Sequence, residues 1–327
     1  MAASQLTDVN YQSEFFRETL AGRFTHQLGL IQGVMQEAPE NIISSNEQGH
    51  TVAIPQWKAL SGDSVQITDS TTSTINAMQD FKNVGVWVER EKAWGSADVL
   101  GYIAGKDAGV ALADMIGSYW AAELQKVGLN VLAGIFATAL AGTHVLDDSG
   151  VTVTPERLID AKLKLGDNAN LVKYMIANSK VAGDLEKLKL LTYDTGGADT
   201  FVNGMVPRVL NMNLIQDDTL TATANVYKSY LSKEGSMVYK LRNRKGSSIT
   251  SKDIFNVGGV EIELVRAGTT AGGVDQFITR VSMLVHPNGM AYVGANNPTN
   301  ATLATGASWS KAANDDKLIG IVQYLSL

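Results

Sequence analysis

The chain has 327 residues and a formal net charge of −6, from 27 Lys and Arg against 33 Asp and Glu. This acidic balance argues against a general nucleic-acid binder, because phosphate groups are neutralised by basic surfaces. Charged residues make up 18% of the chain, below the roughly 25% of ordinary soluble domains. Cysteine is absent, which excludes disulfides, thiolate metal sites and cysteine nucleophiles.

Residues 1–50 predict an amino-terminal arm with one amphipathic helical stretch, which Pro39 ends. The apolar residues that recur at helical spacing are Phe15, Phe16, Leu20, Phe24, Leu28 and Ile31. Residues 1–12 are polar and lack the basic and apolar regions of a secretory signal. The most apolar run, residues 127–141, is shorter than the roughly 18 residues of a membrane span. We therefore expect neither export nor membrane insertion.

Residues 51–95 predict one long two-stranded excursion. Apolar residues alternate with polar or small ones along both strands: Val52, Ile54, Val84, Val86 and Val88. Residues 69–76, between the strands, are almost all Thr, Ser and Asp. Because an isolated hairpin with so little apolar material is marginally stable, we expect this one to lie on a neighbour.

A long helix is predicted to follow, with Ser96 as its N-cap. Apolar residues recur every three or four positions from Val99 to Val127, which indicates a helix of about thirty residues, far above the mean of about 11 to 12. Gly101, Gly105 and Gly109 lie along one side of it. This strip of small residues predicts the close approach of a sheet or loop.

The remaining chain alternates helices and strands, which indicates a compact α+β unit. Thr154 followed by Pro155 begins a helix, residues 171–177 form a short apolar strand, and Ser179 begins another helix. Further strands are predicted at 205–216, 236–243, 259–266, 277–286 and 318–325.

The sequence contains no recognisable catalytic motif. The chain lacks the phosphate-binding P-loop, the dinucleotide-binding glycine pattern and the hydrolase nucleophile elbow. None of the four histidines (His26, His50, His144 and His286) has another at metal-ligand spacing, so each is interpreted as a surface or turn residue. We therefore expect no enzyme activity, no metal and no cofactor.

Two charged clusters leave alternatives open. The first cluster is basic and consists of Lys240, Arg242, Arg244 and Lys245. In a protein that encloses nucleic acid it would contact phosphate. A solvated strand end is favoured, because the aromatic residues that alternate with basic ones in nucleic-acid platforms are missing. Residues 89–92 read Glu-Arg-Glu-Lys, which places acids and bases on opposite strand faces. That pattern suits contact with another chain, or an exposed strand whose local ion pairs contribute little.

Three segments share a pattern with one known family. The first joins Ile54-Pro55-Gln56-Trp57 and Leu60-Ser61-Gly62-Asp63 to Glu91-Lys92-Ala93-Trp94-Gly95-Ser96-Ala97-Asp98, and the second is residues 154–189. The third contains Val260-Glu261-Ile262-Glu263-Leu264-Val265-Arg266, Leu284-Val285-His286-Pro287-Asn288-Gly289-Met290-Ala291 and Asn297-Pro298-Thr299-Asn300. In order and spacing they resemble the major capsid proteins of tailed bacteriophages, which have the Hong Kong 97-type fold.

The resemblance implies an α+β capsid fold with an N-terminal arm, an extended β-hairpin loop, a long spine helix and a compact axial domain. The implied partition is an arm at 1–50, an extended loop at 51–95, a peripheral domain at 96–145 and 256–305, and an axial domain at 146–255 and 306–327. It matches the independent interpretation of an arm, an orphan hairpin, an overlong helix and a compact unit.

The resemblance also implies a structural role, in which many copies form hexamers and pentamers of an icosahedral head around double-stranded DNA. Trp57, Lys58, Trp87, Glu89 and Arg90 would then contact an adjacent subunit, and Glu263, Arg266 and Arg280 would approach other capsomers. Other expected partners are a portal, a separate scaffolding protein and decoration proteins, with weakly contacted DNA and no membrane. The expected location is the virion, after assembly in the cytoplasm of a bacterial host.

Two alternatives remain at this point. An encapsulin-like nanocompartment shell shares the fold but encloses enzymes instead of a genome. A small hydrolase would use His26 or His286 with a nearby carboxylate.

Overall fold

The computed structural model describes residues 33–45, 49–58, 60, 62–67, 78, 80–97, 108–193, 207–220, 222–242, 254–257, 260–266, 274–313, 315 and 318–327. The strands there are β1 (Met35–Glu37), β2 (Thr51–Trp57), β3 (Asp80–Ala97), β4 (Val145–Asp147), β5 (Val172–Ala177), β6 (Leu191–Tyr193), β7 (Pro207–Val209), β8 (Met212–Gln216), β9 (Tyr227–Lys233), β10 (Met237–Arg242), β11 (Ile254–Val257), β12 (Val260–Arg266), β13 (Val274–Pro287), β14 (Met290–Tyr292), β15 (Trp309–Lys311) and β16 (Ile321–Ser326). The helices are α1 (Ala108–Ala137), α2 (Pro155–Leu163), α3 (Ser179–Lys187) and α4 (Asn300–Leu303).

The first seven-stranded sheet is built around β13. Its main order is β1-β10-β13-β12-β11, and β3 pairs with both β13 and β2. The antiparallel β3–β13 ladder runs from Ala97 opposite Val274 to Trp87 opposite Leu284. The earlier part of β3 pairs with β2 instead, down to Asp80 opposite Trp57. The antiparallel pairing predicted for the excursion is therefore confirmed.

Two predicted boundaries in this region are wrong. Ser96, the predicted N-cap of the long helix, pairs with Asp275 near the end of β3, because β13 supplies backbone partners that the local sequence does not reveal. The predicted helical stretch of the arm does not include Met35–Glu37, which form β1 parallel to β10. The rest of that stretch, before residue 33, lies outside the described residues.

Helix α1 has 30 residues and lies between the two large sheets. The predicted long helix is confirmed over residues 108–127, and it continues beyond its predicted end to Ala137. Trp120 Nε1 donates a hydrogen bond of 3.0 Å to Thr279 Oγ1 on the first sheet. On the other side, the ring of Phe136 packs against that of Tyr230 on β9 of the second sheet. Gly134 permits close packing against α4, because a Cβ atom there would lie 2.0 Å from the carbonyl oxygen of Leu303.

The second seven-stranded sheet has the order β4-β16-β9-β5-β8-β7-β6. One of its faces packs towards α1, and the other is covered by α2 and α3. Thr154 caps α2 by accepting a hydrogen bond from the backbone N–H of Arg157, as the Thr-Pro signal predicts. The predicted domain partition stays a prediction, and one strand crosses it. Strand β10 falls in the predicted axial range but pairs with β13 of the predicted peripheral range.

Candidate assembly surface

Arg280 is the centre of a charged cluster on the face of the first sheet that points away from α1. Its Nε atom contacts Glu91 Oε2 at 2.5 Å, and its Nη1 atom contacts Glu261 at 3.1 Å and Glu263 at 2.7 Å. Strand register explains the first two contacts, since Arg280 pairs with Glu91 on one side and Glu261 on the other. Burial alone would lower the pKa of the Arg280 guanidinium, but the hydrogen bonds to Glu263, Glu91 and Glu261 raise it above its ordinary value.

Arg242 ties four segments of the same face together. It donates hydrogen bonds to Ser282 Oγ (2.8 Å), to the carbonyl oxygen of Gly49 (2.6 Å) and to Glu89 Oε1 (2.7 Å). Its guanidinium carbon lies 4.7 Å from the ring centroid of Trp87, a cation–π distance. The arginine therefore connects β10, β13, β3 and the segment that precedes β2.

Lys240 forms a second link, between β10 and the arm. Its Nζ atom contacts Glu37 at 2.9 Å and Glu40 at 3.0 Å, and donates to the carbonyl oxygen of Ala38 at 3.1 Å. The backbone N–H of Ser45, followed by Lys240, lowers the pKa of the Glu40 carboxyl to about 2. Acids of the arm thus neutralise a lysine on the sheet.

These contacts correct the interpretation of the basic cluster. Lys240 and Arg242 are buried and ion-paired, so a solvated strand end is wrong for both. Arg244 and Lys245 lie outside the described residues. The local sequence could not predict this ion pair, because Glu89 is 153 positions from Arg242 in the chain.

A small polar cleft lies between the two arginines. Its volume is about 190 Å³, and its lining consists of Glu89, Arg90, Glu91, Arg242, Glu261, Arg280, Val281, Ser282 and Asn297. Of the carboxylates that line it, Glu89 binds Arg242, and Glu91 and Glu261 bind Arg280. The cleft is therefore a polar junction where β10 and β12 meet on β13.

Arg90 joins β3 to the Asn-Pro-Thr-Asn segment that follows β14. Its Nη2 atom donates to the carbonyl oxygen of Pro298 (2.7 Å) and to Asn300 Oδ1 (3.1 Å). In the same segment, Asn297 Oδ1 accepts a hydrogen bond of 2.9 Å from the backbone N–H of Glu89. Burial lowers the pKa of the Arg90 guanidinium, and the nearby charge of Glu123 partly offsets this effect.

The hairpin formed by β2 and β3 carries exposed apolar side chains beyond its paired base. Those in the described residues are Trp57 (67% exposed), Leu60 (81%), Val65 (69%), Ile67 (91%) and Met78 (66%). The base is different, because Val52, Ile54 and Trp87 form a small core with Ala38, Ile43 and Leu284. The base of the excursion therefore packs against other segments of its own chain.

The structure separates the residues predicted to contact an adjacent subunit. Trp57 is exposed and Lys58 half-buried, while Glu89 and Arg90 are half-buried in the contacts described above. Trp87 is fully buried in its own chain, so its predicted position on a neighbouring subunit is wrong. The alternation of Val86, Trp87 and Val88 shows a strand, but it does not show that the arm and Arg242 cover the Trp87 face.

Of the residues predicted to approach other capsomers, Glu263 and Arg280 meet in the charged cluster. Arg266 ends β12 opposite Asp275, and its side chain lies outside the described residues. Sequence reasoning did not assign Glu261 to this site, and it interpreted Arg242 as part of a solvated strand end. The cross-strand register that joins them to the site appears only in the folded sheet.

His286 is buried in β13, so the prediction of a surface or turn position is wrong for it. His144 is also buried, but it lies in the turn that precedes β4, where its backbone N–H donates to the carbonyl oxygen of Leu140. The Nε2 atom of His286 contacts Asn83 Oδ1 and lies 2.9 Å from the carbonyl oxygen of Met290. Burial lowers the pKa of the His286 imidazole to about 4.

In the described part of the chain, no group of three or more histidines and carboxylates has the geometry of a metal site. None of the helices described is long and apolar enough to span a membrane.

Comparisons with known proteins identify the fold. No protein-family model matches the chain. The capsid chain of Ralstonia phage GP4 aligns with a TM-score of 0.58 and 8% identity, over 92% of this chain and 90% of that one. A chain of Microbacterium phage Oxtober96 aligns at 0.55 with 10% identity over 90% of both. The capsid chain of cyanophage Pam1 aligns at 0.52 with 10% identity, over 93% and 91%.

The fold is therefore that of a tailed-phage capsid protein, with mixed α and β content, and the resemblance stated from the sequence is confirmed. One curated relative is also similar in sequence. The major capsid protein of Bacillus phage SPP1 is 29% identical over 288 residues, which are 84% of this chain and 83% of that protein.

Proposed function

We propose that this chain is the major capsid protein of a tailed phage, and that its copies form the hexamers and pentamers of an icosahedral head around double-stranded DNA. The observation that carries the proposal is the β2–β3 hairpin, which exposes five large apolar side chains at and beyond its last strand pair. Apolar surface of this kind marks protein–protein contact sites. The likeness to a major capsid protein makes another copy of this chain the expected partner.

In this proposal each element has a structural role in the shell. The β2–β3 hairpin is the extended loop at 51–95, and α1 is the spine helix of a peripheral domain at 96–145 and 256–305. The arm occupies 1–50, and the axial domain occupies 146–255 and 306–327. The position of α1 between two sheets supports its role as a rigid spine.

We assign the intersubunit contacts of the loop to Trp57, Lys58, Glu89 and Arg90. Trp57 carries most of this assignment, since large exposed aromatic side chains dominate the energetics of interfaces. Glu263, Arg266 and Arg280 are assigned to contacts between capsomers. The three carboxylates around Arg280 support this assignment, because they leave an excess of negative charge for a basic partner.

The proposed partners include a portal, a separate scaffolding protein, decoration proteins and packaged DNA. The net charge of −6 and the internal pairing of Lys240 and Arg242 favour weak contact with DNA. The proposed location is the phage head, after assembly in the host cytoplasm.

A structural role without catalysis fits the histidine environments. The hydrolase alternative relied on His26 or His286 beside a carboxylate. His26 lies outside the described residues, whereas His286 is buried against an amide and a backbone carbonyl. The nanocompartment alternative is not favoured by the comparisons, and the cargo of purified particles distinguishes it from a phage head.

The test uses a deletion that closes the hairpin at its last observed pair, Trp57 opposite Asp80. Residues 58–79 are replaced by Asn-Gly, which suits a two-residue hairpin turn. Negative-stain electron microscopy of the wild-type chain should show closed shells, and the shortened chain should show none while its thermal unfolding is unchanged. Normal shells from the shortened chain would contradict the proposed role of the hairpin.

A further inference from the structure

Two helices cover the outer face of the second sheet at different places along it. Helix α2 packs against β4 and β16, at one end of the strand order, whereas α3 packs against β8, beyond β5. Both bury an apolar stripe in the same core, in which Leu158 and Ala161 come from α2 and Val181 and Leu185 come from α3. Their opposite stripes therefore point outwards from the two ends of one layer.

The outward stripe of α2 is acidic and apolar. It consists of Glu156, Ile159, Asp160 and Leu163, which follow one another at helical spacing opposite the buried residues. Ile159 is 48% exposed and Leu163 is 58% exposed. Two carboxylates thus flank a pair of exposed aliphatic side chains.

The outward stripe of α3 is basic and ends in an exposed leucine. Lys180 and Lys187 both contact Asp184, which leaves one excess positive charge on the stripe. Hydrogen bonds from the two lysines lower the pKa of the Asp184 carboxyl. Gly183 adds no side chain between them, and a Cβ atom there would meet nothing within 4 Å. Leu188, which follows the helix, is 48% exposed.

We propose that the α2 stripe of one copy docks on the α3 stripe of the next copy. The inference rests on the proposed function, because it names the surface through which copies contact each other around a capsomer. Opposite charges surround exposed aliphatic residues on both sides, which is the arrangement of a complementary interface. Two different surfaces meet head to tail, so the contact is heterologous and closes into a ring when the rotation between copies allows it.

The test reverses the charge of each stripe separately. The α2 variant carries Glu156→Lys and Asp160→Lys. The α3 variant carries Lys180→Glu, Asp184→Lys and Lys187→Glu, which preserves the ion pairs within the helix with the opposite sign. Lys173→Glu is the control, since Lys173 is an exposed residue outside both stripes and this change shifts the net charge as much as the α3 variant does.

We expect each reversed variant to fold and to form at least about tenfold fewer shells than the wild type, because like charges then face each other at every contact. The combined variant restores opposite charges and should return to within about threefold of the wild type. An equimolar mixture of the two reversed chains should associate in sedimentation velocity, although neither does so alone. Such a mixture can close only rings with alternating copies, so hexamers should form and pentamers should not.

The proposed contact would be refuted if either reversed variant formed shells at the wild-type yield. It would also be refuted if the combined variant folded but its shell yield stayed as low as that of the single-stripe variants. If the α2 reversal prevents folding, Leu163→Gln tests the same stripe without changing charge and should also lower the shell yield. A wild-type chain that forms neither shells nor capsomers contradicts the proposed function itself. Sedimentation of the mixture then still decides the contact, because association of the mixed chains alone supports it and its absence refutes it.

Discussion

On mild acidification the folded chain should lose stability, and replacing His286 with glutamine should abolish most of that loss. His286 is fully buried; its ring faces Asn83, the carbonyl oxygen of Met290 and the ring of Trp309. Burial lowers the pKa of the imidazole from 6.5 to about 4. Since the folded pKa lies below the unfolded one, the unfolded chain binds the extra proton between these values. Stability is complete above the unfolded pKa and falls as the pH falls towards the folded pKa.

The size of this effect follows from the two pKa values and is about 3 kcal/mol for the whole interval. Urea unfolding of the unassembled chain, followed by circular dichroism at about pH 7 and about pH 4.5, measures it. The glutamine variant retains an amide that can donate to the Met290 carbonyl, and its stability should vary less with pH. His144→Gln is a second test variant, because burial also lowers the pKa of His144 and its removal should reduce the pH dependence as well. Parallel pH dependences for the wild type and His286→Gln would refute the reasoning.

Further predictions concern packing and charge. Gly134→Ala places a methyl group 2.0 Å from the Leu303 carbonyl oxygen and should lower the unfolding free energy by about 1 to 3 kcal/mol. Gly183→Ala places its methyl group in open space on a helix and should raise the unfolding free energy by about 0.4 to 1 kcal/mol. Equal changes in unfolding free energy for Gly134→Ala and Gly183→Ala would contradict the packing of α1 on α4. Arg280→Met leaves two buried carboxylates without their cation and should cost about 3 to 5 kcal/mol. The exposed change Lys173→Met should cost less than about 1 kcal/mol, and urea unfolding of both variants checks the difference.

The sequence predicted those parts of the fold that local periodicity determines. Alternating Val52 and Ile54 marked β2, alternating valines marked β3, and a long apolar pattern at helical spacing marked α1. The start of the helix was misplaced because Gly95, Ser96 and Ala97 carry no strong strand signal of their own, whereas pairing with β13 makes them a strand. Long-range contacts also determine that Arg242 is buried, since it donates to a carbonyl oxygen 193 positions away.

The same limit applies to the candidate assembly surface. Exposure of Trp57 and burial of Trp87 could not be distinguished from their sequence surroundings, because both tryptophans lie in strands with similar alternation. What separates them is the arm, which covers the base of the hairpin with Ala38 and Ile43. The end of the hairpin has no comparable cover among the described residues.

The contacts at the hairpin base bear directly on assembly. A buried ion pair contributes little net stability compared with apolar packing, but its geometry is specific. Arg242 and the Trp87 ring hold the start of the hairpin against β10 and β13, so its direction is set within the chain. A segment whose direction is already fixed loses less conformational entropy when it docks on a partner. Arg242 and Trp87 therefore act within one subunit, and the exposed apolar residues of the hairpin remain for contact between subunits.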